Sequence, residues 1–268
     1  MERRVKIAIM GMGVVGSALA MYLEMNQDTD LIEYDPPRGM TPELKDAEIV
    51  FIAVPIGTKD DRTQDLTHVE SCLELLQAKG MFNVPIFIRS TILPGTTDSL
   101  AQKYMLRVCH MPEFLTERFA YEDVSNQPII CGGNLLVEQA KLLFHIFNQK
   151  PITFMSNCEA ELSKYVHNGF GAMKVNYFNQ IYILCLKLGI HYDRVVLGAL
   201  SSGHINKQHT QVPGPDGQFG YGGKCFPKDL KALIGIMDRN NIAATSLFAC
   251  EKENEMSRQL VQVNSGAV

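Results

Sequence analysis

Val5-Lys6-Ile7-Ala8-Ile9-Met10, followed at once by Gly11-Met12-Gly13-Val14-Val15-Gly16, decides the fold class of this 268-residue chain. The first six residues are an apolar, β-rich run. The next six form a GxGxxG turn that opens a helical pattern over Val15–Met25. A turn that carries a dinucleotide needs glycine at each place. Gly11 makes the tight turn, Gly13 lets the backbone approach a pyrophosphate, and Gly16 lets the helix pack on the strand. The helix start then offers unpaired N–H groups and the positive end of its dipole to phosphate. Asp35 ends the next strand-like run, nineteen residues after Gly16 (35 − 16). An acid there can accept both ribose hydroxyls and repels a 2′-phosphate. Gly11, Met12, Gly13, Val14, Val15, Gly16 and Asp35 therefore read as a site for NAD in preference to NADP, with Arg38 the one nearby residue that would favour a phosphate.

Outward from this turn, short apolar runs alternate with helical patterns. Leu31–Tyr34, Ile49–Val54, Ile86–Ile88, Val108–His110, Ile129–Cys131 and Pro151–Met155 read as strands. Their near-continuous apolarity suits parallel strands covered on both faces. Leu66–Ala78, Thr96–Met105 and Leu135–Phe147 read as helices. The alternation predicts a doubly wound, mostly parallel α/β sheet. From Cys158 the pattern becomes mainly α-helical: one long segment to Gly189, then Tyr192–Leu200, Lys228–Arg239 and Ser246–Val261, with a Gly/Pro-rich loop at Gln211–Gly223. The expected organisation is a cofactor domain over 1–155, a helical central domain over 156–262 and a tail over 263–268, its last residues Asn264–Val268 reading as disordered.

A hydrophobic fraction of 46% and a charged fraction of 20% are ordinary for a soluble globular protein. The net charge of −4 gives no reason to expect nucleic acid or an anionic membrane as partner. Met1-Glu2-Arg3-Arg4 runs directly into the first strand with no signal-peptide core. The longest apolar stretch, Tyr177–Ile190, is broken by Asn179, Gln180 and Lys187, so no membrane span is expected. Cys72, Cys109, Cys131, Cys158, Cys185, Cys225 and Cys250 are odd in number and show no CxxC spacing. They predict free thiols in a reducing cytoplasm, with no metal site, and six of them serving as small core residues.

Cys225 is the exception. It sits in Phe219-Gly220-Tyr221-Gly222-Gly223-Lys224-Cys225-Phe226-Pro227-Lys228-Asp229, where three glycines precede the cysteine. Pro227 and Asp229 suit a first helical turn, placing Cys225 at a helix N-terminus. Lys224, Lys228 and the helix dipole all favour its thiolate, the nucleophilic form. On the long helix, Lys164 and Asn168 are four apart and share a face, while Glu161 with Lys164 reads as a solvated ion pair.

These residues carry a resemblance. Phe219–Asp229, with Val212-Pro213-Gly214-Pro215-Asp216-Gly217 before it, closely resembles the cysteine signature of the UDP-glucose/GDP-mannose dehydrogenase family. Ala160–Tyr165 with Asn168 resembles the family's central-helix motif. Ser90–Thr96 and Pro112–Glu117 resemble its two loops from the nucleotide domain. The resemblance runs in family order from about residue 5 to residue 260. It implies a Rossmann-like NAD domain, a helical central domain and oxidation of C6 of a nucleotide sugar from alcohol to carboxylate, with two NAD consumed. Cys225 would attack the C6 aldehyde, forming a thiohemiacetal and then a thioester. Lys164 and Asn168 would stabilise oxyanion character on C6. Asp229 would order Lys164 and a water, and Thr91 and Glu117 would hold or activate water. Glu113, Phe219, Gly220, Gly222 and Lys228 would contact the substrate. Val54, Pro55 and Thr91 would join the cofactor set. The family's central helix also implies a homodimer, here through the apolar Tyr165, Val166, Phe170, Met173, Tyr177, Ile181 and Leu184.

Three departures stand out. Only Pro36–Glu48 links Asp35 to the next strand, where relatives carry an extra helix and strand. Val54-Pro55-Ile56-Gly57 replaces the family's Val-Pro-Thr-Pro and removes a hydroxyl near the nicotinamide. A third, substrate-nucleotide-binding domain has no counterpart in these residues: either the chain is part of a longer one, a partner chain supplies that domain, or the protein is a compact variant with altered substrate use. Two rivals remain open: a β-hydroxyacid dehydrogenase, which uses a helix lysine but no cysteine, and a non-catalytic NAD-binding protein.

Overall fold

The structure, a computed structural model, describes residues 4–26 and 28–264, with side chains to residue 259. The expected tail from residue 265 on, and Met1–Arg3, lie outside the described residues. In chain order the elements are β1 (Val5–Met10), α1 (Val14–Glu24), β2 (Thr29–Tyr34), β3 (Ile49–Ile52), β4 (Gly57–Thr58), β5 (Gln64–Asp65), α2 (Thr67–Ala78), β6 (Ile86–Ile88), α3 (Thr96–Tyr104), β7 (Val108–His110), α4 (Ala120–Asn126), β8 (Ile129–Gly132), α5 (Val137–Ile146), β9 (Ile152–Met155), α6 (Asn157–Leu188), α7 (Tyr192–Leu200), α8 (Phe226–Arg239) and α9 (Thr245–Asn264). The described chain falls into two compact units. One takes in the chain up to Lys59 together with Gln64–Lys164. The other is Asp60–Thr63 together with the chain from Tyr165.

In the first unit, five parallel strands lie in the order β2-β1-β3-β6-β7. Alternate side chains leave each strand on opposite faces, and both faces are covered. Ile7, Ile9, Phe51 and Phe87 pack with Leu19, Leu23 and Leu143 of α1 and α5. Met10, Val50, Ile52 and Ile88 pack with Leu73, Leu76 and Leu100 of α2 and α3. Phe51 and Phe87 stack at 5.4 Å between ring centroids, and burying each contributes roughly 1.5–3 kcal/mol. The doubly wound α/β fold is as expected. Three details differ. β8 and β9 pair parallel with each other in a sheet of their own. The Ile49 strand stops at Ile52, although the Ala53 N–H still donates to the Met10 carbonyl at 2.8 Å. The β4/β5 hairpin and α4 occupy stretches without a readable period, too short for a pattern to show.

The sheet reverses direction of growth between β1 and β3, which opens a crevice at their carboxyl ends. The short connection after β2 is a 3-10 turn at Pro36–Arg38, closed by a bridge from Asp35 to Met40.

The second unit is helical. Phe178 and Cys185 of α6 bury against Tyr192 of α7, and Gly169 and Gly171 admit Leu233 and Phe226 from the α8 side. The hairpin tip belongs here through Arg62, which pairs with Glu251 of α9 at 2.7 Å. Among the described residues no helix is long and apolar enough to cross a membrane, and no group of side chains could hold a metal ion.

Candidate functional site

The glycine turn can be tested position by position. Gly11 has φ +96, and a Cβ there would stand 2.6 Å from the carbonyl oxygen of Ala53. Gly16 presses on the turn itself: its Cβ would lie 1.9 Å from the Gly11 oxygen. Gly13 is different, since nothing stands within 4 Å of where its Cβ would be. The protein's own packing gives no reason for glycine at that position, and a closely approaching ligand does. Gly13 caps α1 without a side-chain bond, leaving the helix start to an incoming acceptor. Asp35 Oδ2 accepts the Met12 N–H at 2.8 Å and lies 3.7 Å from Arg38 Nε. The turn and the acid thus form one hydrogen-bonded unit that fits a dinucleotide. Opposite the turn, Ser90 Oγ donates to the Val54 carbonyl at 2.6 Å, and the Thr91 carbonyl accepts from Gln64 at 3.0 Å. Thr91 is buried, Val54 half-buried and Pro55 exposed.

The same unit buries an ion pair, Lys164 Nζ to Glu113 Oε1 at 3.0 Å, and the Lys164 ammonium also faces the Phe114 ring. Glu117 is exposed at the start of a 3-10 turn. Glu161 is not the solvated partner of Lys164 that the spacing suggests. It is fully buried and accepts from Gly95 N–H (2.6 Å), Thr97 N–H (2.7 Å) and Thr97 Oγ1 (2.6 Å), capping α3 from α6. Burial pushes its pKa up to about 7 against those donors.

In the second unit, Cys225 is an exposed cysteine at the N-cap of α8. One turn into that helix, Asp229 is buried and accepts from Asn168 Nδ2 at 2.6 Å and from Lys228 Nζ at 2.5 Å. The structure thus joins Asn168 of α6 to the neighbouring Lys228 and Asp229 of α8, 61 positions beyond it at Asp229. The Lys228 charge is shared with Asp229, which lessens what it lends a thiolate. Phe219 packs on Tyr182 at 5.5 Å. Gly220 and Gly222 have a packing reason of their own: a Cβ would meet Asn254 Oδ1 at 2.4 Å and Arg258 Nη2 at 2.2 Å.

Residues that sequence reading missed hold this loop. Asn179 accepts the Gly220 N–H at 2.9 Å and Asn254 the Tyr221 N–H at 2.7 Å. Arg258 donates to the Tyr221 carbonyl, to Asp216 and to Gln218. Asn179, an amide interrupting the largely apolar stretch Tyr177–Ile190, was the one available signal. The cysteines also need one correction. Cys158 is exposed rather than a core residue, while Cys72, Cys109, Cys131, Cys185 and Cys250 are buried.

Residues 37–150 match the NAD binding domain of the UDP-glucose/GDP-mannose dehydrogenase family, and residues 158–256 match its central domain. The UDP-glucose 6-dehydrogenase of Pseudomonas aeruginosa is 30% identical over 234 residues, covering 81% of this chain and 51% of the relative. The chain spans about half the length of the curated relatives it matches. A UDP-glucose dehydrogenase from Pyrobaculum islandicum superposes with a TM-score of 0.82 at 24% identity, over 95% of this chain and 68% of that one. A 3-hydroxyisobutyrate dehydrogenase from Mycobacterium tuberculosis superposes at 0.74 and 16% identity, over 93% and 92%. At such identities these two establish a shared fold.

Proposed function

The chain belongs to the UDP-glucose/GDP-mannose dehydrogenase family, and from that premise we propose that it oxidises the C6 hydroxyl of a UDP-glucose-like nucleotide sugar to the carboxylate, through a thioester on Cys225. The observation that carries this reading is the exposed Cys225 thiol one helical turn from the buried Asn168–Asp229 pair, which Lys228 joins from the half-buried side.

When bound at the glycine turn and Asp35, NAD supplies the hydride acceptor for both oxidations. Cys225 Sγ adds to the C6 aldehyde, and the carbonyl oxygen becomes an oxyanion that needs donors. Asp229 holds one N–H of the Asn168 amide at 2.6 Å, which orients the other for that oxygen. Lys164, one turn earlier on α6, adds positive charge on the same helix face. After the thiohemiacetal has become a thioester, water cleaves it, returning the thiol and releasing the acid. Thr91 and Glu117 are assigned to that water, and Glu113, Phe219, Gly220, Gly222 and Lys228 to the substrate. The protein acts as a homodimer in the cytoplasm.

Incubation with NAD and a panel of nucleotide sugars, following NADH absorbance and product mass, tests the reading. Two NADH per acid are expected. One NADH per product, undiminished in Cys225→Ala, would move the protein to the β-hydroxyacid class. No NADH with any sugar would leave a binding protein.

A further inference from the structure

Four ionisable side chains are buried together at the carboxyl ends of β6 and β7, and only two of them are paired. Arg89 follows the last residue of β6, and His110 ends β7 in register with Ile88. Arg89 is 7% exposed and His110 is fully buried. Glu113 and Lys164, equally buried, are joined at 3.0 Å. Glu113 is the carboxylate whose charge acts on Arg89, yet it does not take up the guanidinium. Its Oε1 faces Lys164, and its Oε2 accepts the Leu115 N–H at 2.6 Å. Among the described residues, Arg89 Nε and both ring nitrogens of His110 have no hydrogen-bond partner. Burial, with Arg89 and Lys164 nearby, lowers the His110 pKa to about 3 and keeps the ring neutral. Two cations and one anion leave a net positive charge where water is largely excluded. Charge buried without a partner is costly, and a protein keeps it where a ligand compensates it.

We propose that Arg89, with His110 beside it, binds a carboxylate group. The guanidinium fork matches the two oxygens of a carboxylate, and a neutral imidazole adds a donor without adding charge. Resting on the function proposed above, we assign that group to the carboxylate formed at C6, because Glu113 and Lys164 of the same cluster are the residues given to the sugar and to C6. Arg89 is then the residue that distinguishes the acid from the alcohol, which brings it no charge.

Calorimetry with D-glucuronate and D-glucose, and with UDP-glucuronate and UDP-glucose, tests this on the full chain and on Arg89→Met and Arg89→Lys. Each acid is expected to bind about tenfold or more tightly than its alcohol. Arg89→Met should abolish that preference while leaving affinity for the alcohol within about twofold, and Arg89→Lys should keep part of it. Glucuronate should shift the His110 ring nitrogen resonances, and glucose should not. Arg89→Met should melt no lower than the parent, since it removes an unpaired buried charge. Should that variant fail to fold, Arg89→Lys and the His110 resonances decide. Acid and alcohol binding alike, neither binding, an equal loss of both in Arg89→Met, or a His110 ring that ignores glucuronate would each overturn the proposal. Free glucuronate held through Arg89 with no uptake of sugar nucleotides would sink the dehydrogenase reading and leave this site standing.

Discussion

At the scale of single residues, Asp35 and Cys225 carry the sharpest expectations. Asp35 holds the turn through Met12, so Asp35→Asn keeps an acceptor for that N–H and removes only the charge. The preference for NAD over NADP should narrow about tenfold, roughly 1.4 kcal/mol, and calorimetry with both cofactors measures it. Tighter NADP binding by the unaltered chain would refute the assignment. For Cys225, the competitors are weak. Burial pushes Cys72, Cys109 and Cys131 up to about 12 and Cys250 to about 11. Cys158 is exposed, but partial burial and the acids Glu161, Asp98 and Glu159 raise its pKa as well. Cys225 should therefore label with iodoacetamide about tenfold or more faster than Cys158, ranked by peptide mass mapping. Labelling no faster than Cys158 would remove the nucleophile. Asp35 was legible because its acid lies within one βαβ unit of the turn. Arg89 was not: it reads as one more charge after a strand, and nothing in its local pattern shows that it is buried.

At the scale of elements, α3 depends on a residue that belongs to another helix. Glu161 supplies the cap that Gly95 cannot, and its partners lie 64 and 66 positions away. No local pattern encodes such a pair, and for that reason the i,i+3 spacing to Lys164 misled. The cap has a pH signature. Its folded pKa of about 7 lies above the ordinary carboxyl value of 4.5, so the folded state holds the proton more tightly. This contribution is fully present below about 4.5 and is lost as pH rises through about 7, a change of at most about 3 kcal/mol. Glu161→Gln should flatten stability across that window, as followed by urea midpoints at a series of pH values. A slope equal to the parent's would show that another group titrates there. The strands of the five-stranded sheet, by contrast, were readable from the sequence. Ile86–Ile88 and Ile49–Ile52 are buried on both faces, and unbroken apolar runs are what that burial requires.

For the whole molecule, the proposed dimer rests on α6. Tyr165 is fully buried, but Val166, Phe170, Tyr177, Leu184 and Leu188 are exposed and recur at spacings of four and seven along one stripe. Covering this stripe with a second copy is the expected arrangement. Light scattering should give a dimer mass at micromolar concentration, and Phe170→Glu should yield monomers with near-native circular dichroism. A parent that stays monomeric across that range would end the dimer proposal. The sequence made the helix's length and apolarity plain but could not say which side would be left bare, since that depends on where α7 and α8 settle. The clasp on the cysteine loop bears on how such proteins can be recombined. Gly220 and Gly222 are confined by Asn254 and Arg258, more than thirty residues downstream on α9 (254 − 220 = 34; 258 − 222 = 36). The loop is therefore not a portable cassette. A chimera that borrows 212–225 from a relative must import the matching stretch of α9 with it, and lineages can exchange the two only as a linked pair.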